Sequence, residues 1–233
     1  MSTRRILTIV IAAVLAFSAR TVARQDPGDL AQAELDVPKL MPVLGLSAGM
    51  SVADVGAGGG AVTIVLARTL GPASRVYATD VNAATVTALR DRAAAAHLVN
   101  VVVIAGTQTQ TNLPDGCCDA IVVRDAYHHF TDPAAMDRGL LAALKPGGRL
   151  AIIDFEPIAG SAPPAGLPPD RTGHGITHEI VAHELETAGF EVVRTIAKWP
   201  PGDAVDQYFL VLVKRPPASS RADGLKVGSS HGS

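Results

Sequence analysis

Residues 52–60 read VADVGAGGG, and the helix-compatible run AVTIVLARTL follows at residues 61–70. An apolar start followed by glycines at positions 56, 58, 59 and 60 predicts a strand, a tight glycine turn and then a helix. Glycines suit this turn because the backbone must bend sharply and let a ligand lie directly against it, where a Cβ would intrude. The helix that follows points unpaired N–H groups at the ligand. The stretch therefore predicts a nucleotide-type binding turn.

Strands alternate with helices along the rest of the chain. Apolar runs predict further strands at residues 75–79, 101–105, 119–123, 149–154, 190–195 and 206–214. Helical spacing occupies the segments between most of them, and a first helical segment at 29–48 is interrupted by Pro38 and Pro42. The fold class is α/β: a Rossmann-like, doubly wound, seven-stranded sheet, mostly parallel with an antiparallel edge strand, in a single domain spanning residues 29–215.

The glycine turn fits a more specific description than a dinucleotide fingerprint. Asp54, Gly56, Gly58 and Gly60 form the pattern D-x-G-x-G-x-G, which resembles motif I of the class I S-adenosylmethionine-dependent methyltransferases. The segment RDAYHHF at 124–130 and the turn KPGG at 145–148 resemble small-molecule members of that family and occur in the matching order. The resemblance covers about residues 38–214 and implies S-adenosyl-L-methionine as the cofactor.

Asp80 is the strongest single cofactor residue. An acid about 20 residues after the glycines ends the second strand of a doubly wound sheet, where it accepts hydrogen bonds from both ribose hydroxyls. The alternative for Asp80 is a cap on the next helix. At the end of the third strand the family usually has an acid beside the adenine, and this chain offers Thr107 or Gln108 instead. The full set of predicted cofactor-binding residues is Asp54, Gly56, Ala57, Gly58, Gly60, Asp80, Val81, Thr107, Gln108 and Arg124.

The segment after the fourth strand supplies the candidate catalytic residues, Asp125, Tyr127 and His128, because ligands bind at the carboxyl ends of parallel strands. His128 is a candidate general base, with a structural histidine as the alternative. Tyr127 is expected to wall the positively charged sulfonium with its ring face. A magnesium site formed by the carboxylates of Asp125 and Asp154 is an alternative. Because the sequence offers no third ligand, no residue is predicted to bind a metal. His174 and His178 are expected to be solvent-facing loop and cap residues, with contact to the substrate as the alternative.

Cys117 and Cys118 are the only cysteines. Neighbouring Cα atoms are closer than normal disulfide geometry permits, so the two are expected to remain unbridged as buried or turn residues. No further thiol is present to complete a zinc site.

The N-terminal residues predict an exported protein. Arg4 and Arg5 precede an apolar run at 6–17 that is too short to span a bilayer, so residues 1–23 are predicted to be a signal peptide. The double arginine partly resembles a twin-arginine signal. The expected location is periplasmic or extracellular, with an uncleaved membrane anchor as the alternative. Residues 216–233, rich in Ser, Gly and Pro, are predicted to be a disordered tail.

The composition of the chain limits the kinds of molecule that it is expected to bind. The net charge is −2 and aromatic residues are 4% of the chain, which excludes the basic, aromatic-rich surface typical of nucleic-acid binding. We expect a small-molecule substrate, and membrane contact only through the N-terminal segment.

The predicted activity is methyl transfer from S-adenosylmethionine to a small nucleophile. The alternatives are a non-catalytic S-adenosylmethionine-binding module and an NAD-type oxidoreductase. The substrate, the methylated atom and the oligomeric state do not follow from the sequence.

Overall fold

The computed structural model describes residues 27–201 and 208–217. The strands are β1 (Ser51–Val55), β2 (Arg75–Asp80), β3 (Val101–Ala105), β4 (Cys118–Arg124), β5 (Leu144–Asp154), β6 (Glu191–Trp199) and β7 (Tyr208–Lys214). The helices are α1 (Pro27–Leu44), α2 (Ala61–Leu70), α3 (Ala83–Ala95), α4 (Pro133–Ala143) and α5 (His178–Thr187), with a 3₁₀ turn at Tyr127–His129. The predicted signal peptide and most of the predicted tail lie outside the described residues.

The seven strands form one sheet in the order β3-β2-β1-β4-β5-β7-β6. The pairs from β3 to β5 are parallel, whereas β7 runs antiparallel to both β5 and β6. This confirms the predicted fold class. Strand β1 lies between β2 and β4, so the chain reverses its direction of winding there, and the carboxyl ends of β1 and β4 open a crevice at the switch point.

Two apolar layers cover the two faces of the sheet. One contains residues of α1 and α2 packed on β1, β4 and β5, and the other contains residues of α4 and α5 packed on the opposite side chains of the same strands. The central strand residues Ala120, Ile121, Val122 and Val123 are fully buried. Continuous apolar runs are expected for strands that are covered on both faces. The sheet, which is packed on both faces, therefore supports the loops at the carboxyl ends of its parallel strands.

Helix α1 differs from the expected interrupted segment, since it continues through Pro38 and Pro42. Each proline removes one backbone hydrogen bond. The buried face of α1, which includes Val37 and Leu40, packs in the same apolar layer as α2 and holds the helix in place. None of the helices described is long and apolar enough to cross a membrane.

The prediction that Cys117 and Cys118 remain unbridged is wrong, whereas the predicted burial is confirmed for Cys118. The sulfurs of Cys117 and Cys118 are bonded to each other, across a Cα separation of 3.7 Å. Cys118 is fully buried at the start of β4, where the pairing with β5 shifts register between Cys118 and Ala120. Sequence spacing excluded the bridge because it assumed ordinary disulfide geometry. The bridge lies at the entry of β4, beside this register shift.

Candidate active site

A cavity of about 590 Å³ opens at the carboxyl ends of β1 to β4, at the switch point of the sheet. Its wall combines the glycine turn, the ends of β2 and β3, the segment after β4, and the loop before α5. The lining residues are Val55, Gly56, Gly58, Thr79, Asp80, Val81, Asn82, Gly106, Thr107, Gln108, Gln110, Thr111, Asp125, Ala126, His129, Phe130, Thr131, Met136, Pro164 and Ala165. The cavity therefore lies where the sequence placed the cofactor.

The glycine turn is held closed by the neighbouring strand. The amides of Gly56 and Ala57 both donate to the carbonyl oxygen of Thr79, at 2.9 and 3.0 Å. Gly56 has φ of +74°, and a Cβ there would lie 2.4 Å from the Cβ of Ala126. A side chain at position 56 would thus separate the turn from the segment after β4. Glycine is required at this position for both conformation and close packing.

Three of the predicted turn residues lie behind the cavity wall. Asp54 is 2% exposed, and its carboxylate accepts a hydrogen bond from the Thr63 hydroxyl at 2.5 Å, which ties β1 to α2. Burial raises the pKa of Asp54 to about 6. Gly60 caps the start of α2 with φ of +79°, and a Cβ there would meet Leu89 at 2.1 Å. Asp54, Ala57 and Gly60 support the turn without lining the cavity.

Asp80 ends β2 on the cavity wall, as predicted. Its carboxylate accepts from the amides of Gly58 at 3.0 Å and Asn82 at 2.8 Å. The capping residue of α3 is Asn82, whose side chain accepts from the next helical amides, so the capping alternative for Asp80 does not hold. An ionised carboxylate has about four acceptor sites, and two of them remain for a ligand. Val81, beside it, is 52% exposed and presents an apolar surface at the cavity.

Thr107 and Gln108 also lie on the wall, beyond the end of β3. Gly106 precedes them, and a Cβ there would approach the Thr79 hydroxyl to 2.8 Å. The loop carries hydroxyl and amide groups where the resembling family commonly has an acid. Sequence reasoning missed several wall residues of the same region, including Gln110 and Thr111, because this stretch has no periodic pattern.

The structure corrects the predicted role of Arg124. Its guanidinium donates from Nε to Asp36 of α1 at 2.7 Å and lies 4.7 Å from the ring centre of Tyr208. Arg124 is absent from the cavity wall. Asp36 is fully buried, and it draws the arginine toward α1 and away from the crevice. Arg124 therefore joins α1 to the sheet and makes no contact with the cofactor cavity.

Tyr127 also requires a correction. The ring is 1% exposed and does not line the cavity, so it does not wall the sulfonium. Its hydroxyl bonds Asp137 at 2.9 Å and Glu184 at 3.0 Å, which links α4 to α5. Arg171 joins the same group through Glu184 at 2.7 Å. Burial raises the pKa of Asp137 to about 7. The tyrosine is part of a buried polar network under the helices.

A second cavity, of about 510 Å³, adjoins the first. It is lined by Asp125, Phe155, Glu156, Ile158, His174, Ala197, Tyr208 and Phe209. Asp125 lines both cavities and has φ of +54°. Burial, followed by the nearby Asp154 carboxylate, raises the pKa of Asp125. A non-glycine residue held at positive φ is strained, which is common at functional sites.

His128 lies between Asp154 and His174 and lines neither cavity. It is 1% exposed. Its Nδ1 is 2.8 Å from Asp154 Oδ1, and its Nε2 is 3.2 Å from the Nε2 of His174. Its role as a general base stays a prediction. His129 and His174, by contrast, do line the cavities. The sequence placed the segment 124–130 at this boundary without a role for His129, and substrate contact was the alternative for His174.

Comparison with known proteins agrees with this geometry. Residues 53–152 match the family described as a methyltransferase domain. The ubiquinone/menaquinone biosynthesis C-methyltransferase UbiE of Saccharophagus degradans is 30% identical over 112 residues, which are 48% of this chain and 45% of that protein. The chain thus spans about half the length of the curated relatives it matches.

Solved structures extend the likeness to most of the chain. A SAM-dependent methyltransferase from Aquifex aeolicus superposes with a TM-score of 0.64 at 27% identity, covering 82% of this chain and 100% of that one. The [4+2]-cyclase SpnF superposes with a TM-score of 0.63 at 21% identity, covering 81% and 82%, and shows the fold alone. Residues 53–152 therefore match a methyltransferase domain, within a chain that is similar in fold to S-adenosylmethionine-dependent methyltransferases.

The residues on the first cavity wall fit S-adenosylmethionine. Asp80 offers free acceptor sites for ribose hydroxyls, and Val81 offers an apolar surface for one face of the adenine. Thr107 and Gln108 present groups that hydrogen-bond a base edge. Gly56 and Gly58 leave room for a ligand against the backbone. When bound, the cofactor supplies an electrophilic methyl group.

Proposed function

We propose that this protein transfers a methyl group from S-adenosylmethionine to a small molecule held in the second cavity. The observation that carries the proposal is the shared residue Asp125, which lines both the cofactor cavity and the second cavity. Only the side chain of Asp125 then separates a nucleophile in the second cavity from the methyl carbon of S-adenosylmethionine in the first. Proximity and alignment supply most of the rate gain in such a transfer.

The second cavity indicates the substrate class. Phe155, Ile158, Tyr208 and Phe209 give it an aromatic and apolar wall, and Asp125 adds a carboxylate. Such a wall suits a small, flat, apolar molecule with a polar substituent. The C-methyltransferase named among the relatives supports a small-molecule substrate. Apart from Asp125, every residue that lines this cavity lies after residue 152, where the match to the methyltransferase family ends. The choice of substrate therefore depends on the C-terminal third of this chain.

Asp125 is the proposed orienting group and proton acceptor. Its raised pKa brings the carboxylate closer to the pKa of the groups it must deprotonate. Its left-handed backbone conformation holds the side chain at the boundary of the two cavities. The carboxylate would accept a hydrogen bond from a substrate hydroxyl, amine or thiol and take its proton as the methyl group is transferred.

Isothermal titration tests the cofactor assignment. We expect the purified protein to bind S-adenosylmethionine and S-adenosylhomocysteine with micromolar Kd and to bind NAD far more weakly. Binding of NAD alone would favour an oxidoreductase. A coupled assay for S-adenosylhomocysteine release with small phenols and quinols tests catalysis. Cofactor binding without turnover of any small molecule would favour a non-catalytic binding module.

We further propose that the chain is exported. The paired arginines and short apolar run at the N-terminus support this location. Cell fractionation of the tagged protein, with mass spectrometry of its N-terminus, tests it. A new N-terminus near residue 24 in the periplasm or medium is expected. An intact N-terminus in the membrane fraction would favour the anchored alternative, and an intact soluble cytoplasmic protein would refute export.

A further inference from the structure

Three histidines converge at the boundary of the two cavities. His128 and His129 lie on the 3₁₀ turn after β4, and His174 lies in the loop before α5. Their ring nitrogens that face one another all lie within 4.8 Å. The ring centre of His128 lies 4.0 Å from the ring centre of His129 and 4.8 Å from that of His174. The three side chains therefore offer imidazole nitrogens to one small volume.

The closest pair is His128 and His174, whose Nε2 atoms are 3.2 Å apart. In a tetrahedral zinc centre two histidine nitrogens, each about 2.0–2.1 Å from the metal, lie roughly 3.4 Å apart. The observed spacing is close to that of two ligands on one ion. The same spacing also permits a direct hydrogen bond in which one Nε2–H donates to the other nitrogen.

Asp154 determines which nitrogen of His128 is free. This carboxylate is fully buried and accepts from the backbone amides of His128 at 3.1 Å and Phe155 at 2.9 Å. Its position is therefore fixed, and the Nδ1–H of His128 donates to it at 2.8 Å. A neutral imidazole with its proton on Nδ1 carries its lone pair on Nε2. A carboxylate on the far nitrogen is the arrangement that orients most metal-binding histidines.

We propose that His128, His129 and His174 bind a divalent transition-metal ion of the zinc type. Three imidazoles suit zinc, cobalt or nickel better than magnesium or calcium, which prefer oxygen. His129 lines the cofactor cavity and His174 lines the second cavity. An ion held by both therefore lies where a substrate oxygen or sulfur could complete its coordination. This last role rests on the proposed function, whereas the binding of the metal does not.

A second cluster provides an internal comparison. Glu156, His178 and Glu179 also have ligand atoms within 4.8 Å, but the two carboxylates are exposed. Both nitrogens of His178 already face carboxylates, at 2.8 and 3.2 Å. That arrangement resembles a surface ion-pair group, which is common without a metal. The three-histidine cluster is the stronger candidate because its central ring is buried and oriented.

Metal titration of the full chain tests the proposal. The protein is purified without a polyhistidine tag, stripped with a chelator, and titrated with Zn²⁺ by calorimetry and with Co²⁺ by visible absorption. We expect one ion per chain at micromolar concentration or below, and a tetrahedral cobalt spectrum without thiolate charge-transfer bands. His174→Ala and His129→Ala are expected to weaken binding by more than about a hundredfold, and Asp154→Asn by about 10- to 100-fold.

Two matched histidine variants serve as controls. His178→Ala removes the centre of the second cluster, and His183→Ala removes an exposed histidine of α5. Both should bind zinc like the unaltered protein. Loss of binding in His178→Ala with retention in His174→Ala would overturn the proposal, and so would no binding by the unaltered protein, which would leave a histidine–histidine hydrogen bond. Titration of the stripped protein with S-adenosylmethionine reports on the proposed function separately.

Discussion

Asp80→Ala is expected to weaken S-adenosylmethionine binding about a hundredfold. The carboxylate has two acceptor sites left after its bonds to the amides of Gly58 and Asn82. Two hydrogen bonds to a charged acceptor contribute about 1.5 kcal/mol each at the low end of their range. Losing both removes about 3 kcal/mol, which corresponds to roughly a hundredfold in Kd.

Isothermal titration measures this change, and Asp91→Ala is the matched control. Asp91 is exposed on α3 and carries the same charge, but it is absent from the cavity wall. Asp91→Ala should change the Kd less than about twofold, since surface substitutions are usually small in effect. A thermal melt of each variant checks that the protein remains folded. A folded Asp80→Ala protein that binds within threefold of the unaltered protein would refute the ribose assignment.

Three further predictions concern Gly56, Asp54 and Asp125. Gly56→Ala should lower the unfolding free energy by about 2–3 kcal/mol in denaturant titration, because the new Cβ would lie 2.4 Å from the Cβ of Ala126. The control Gly147→Ala has open space around its Cβ and should cost about 1 kcal/mol, so equal losses would contradict a packing effect at Gly56. The pKa of Asp54 rises from 3.8 to about 6 on folding, so the native state holds that proton more tightly, and roughly 2 kcal/mol of stability is lost as the pH rises from 4 to 6. Asp54→Asn should flatten the unfolding free energy over that pH range, and an unchanged slope would show that Asp54 is not its source. Asp125→Asn should lower kcat about 10²- to 10⁴-fold with little change in cofactor Kd, and an unaffected kcat would remove Asp125 from the mechanism.

The sheet and the cofactor turn were predictable because their signals are local. The glycines after β1, the acid at the end of β2 and the apolar runs of the strands are each set by neighbours in sequence. Asp80 was found for this reason, since its place at a strand end follows from the spacing alone.

The errors concern side chains whose directions depend on distant partners. Arg124 turns toward Asp36, which lies 88 positions earlier in the chain, and Tyr127 turns toward Glu184, 57 positions later. Arg124 ends β4 and Tyr127 follows it, but the segment alone cannot show which side of the sheet edge each one faces. His174 was expected to be a solvent-facing loop residue because it lies in a segment rich in proline and glycine, with no periodic pattern to place it at the site.

Cys117 and Cys118 show the limit of a geometric rule. The rule that adjacent cysteines stay apart holds for ordinary backbone, and this pair lies where β4 begins and its register with β5 shifts. Such an irregularity results from the pairing of strands that are distant in sequence. It could not be derived from the local pattern of residues 114–119.

The most direct test of the central claim is the release of S-adenosylhomocysteine by the purified protein incubated with S-adenosylmethionine and a small-molecule extract of its source cells. Liquid chromatography with mass spectrometry of the extract identifies any compound that gains one methyl group. We expect S-adenosylhomocysteine in equal amount to one methylated product, with both lost in Asp125→Asn. Cofactor binding with no S-adenosylhomocysteine above a protein-free control would contradict it and would indicate a binding module.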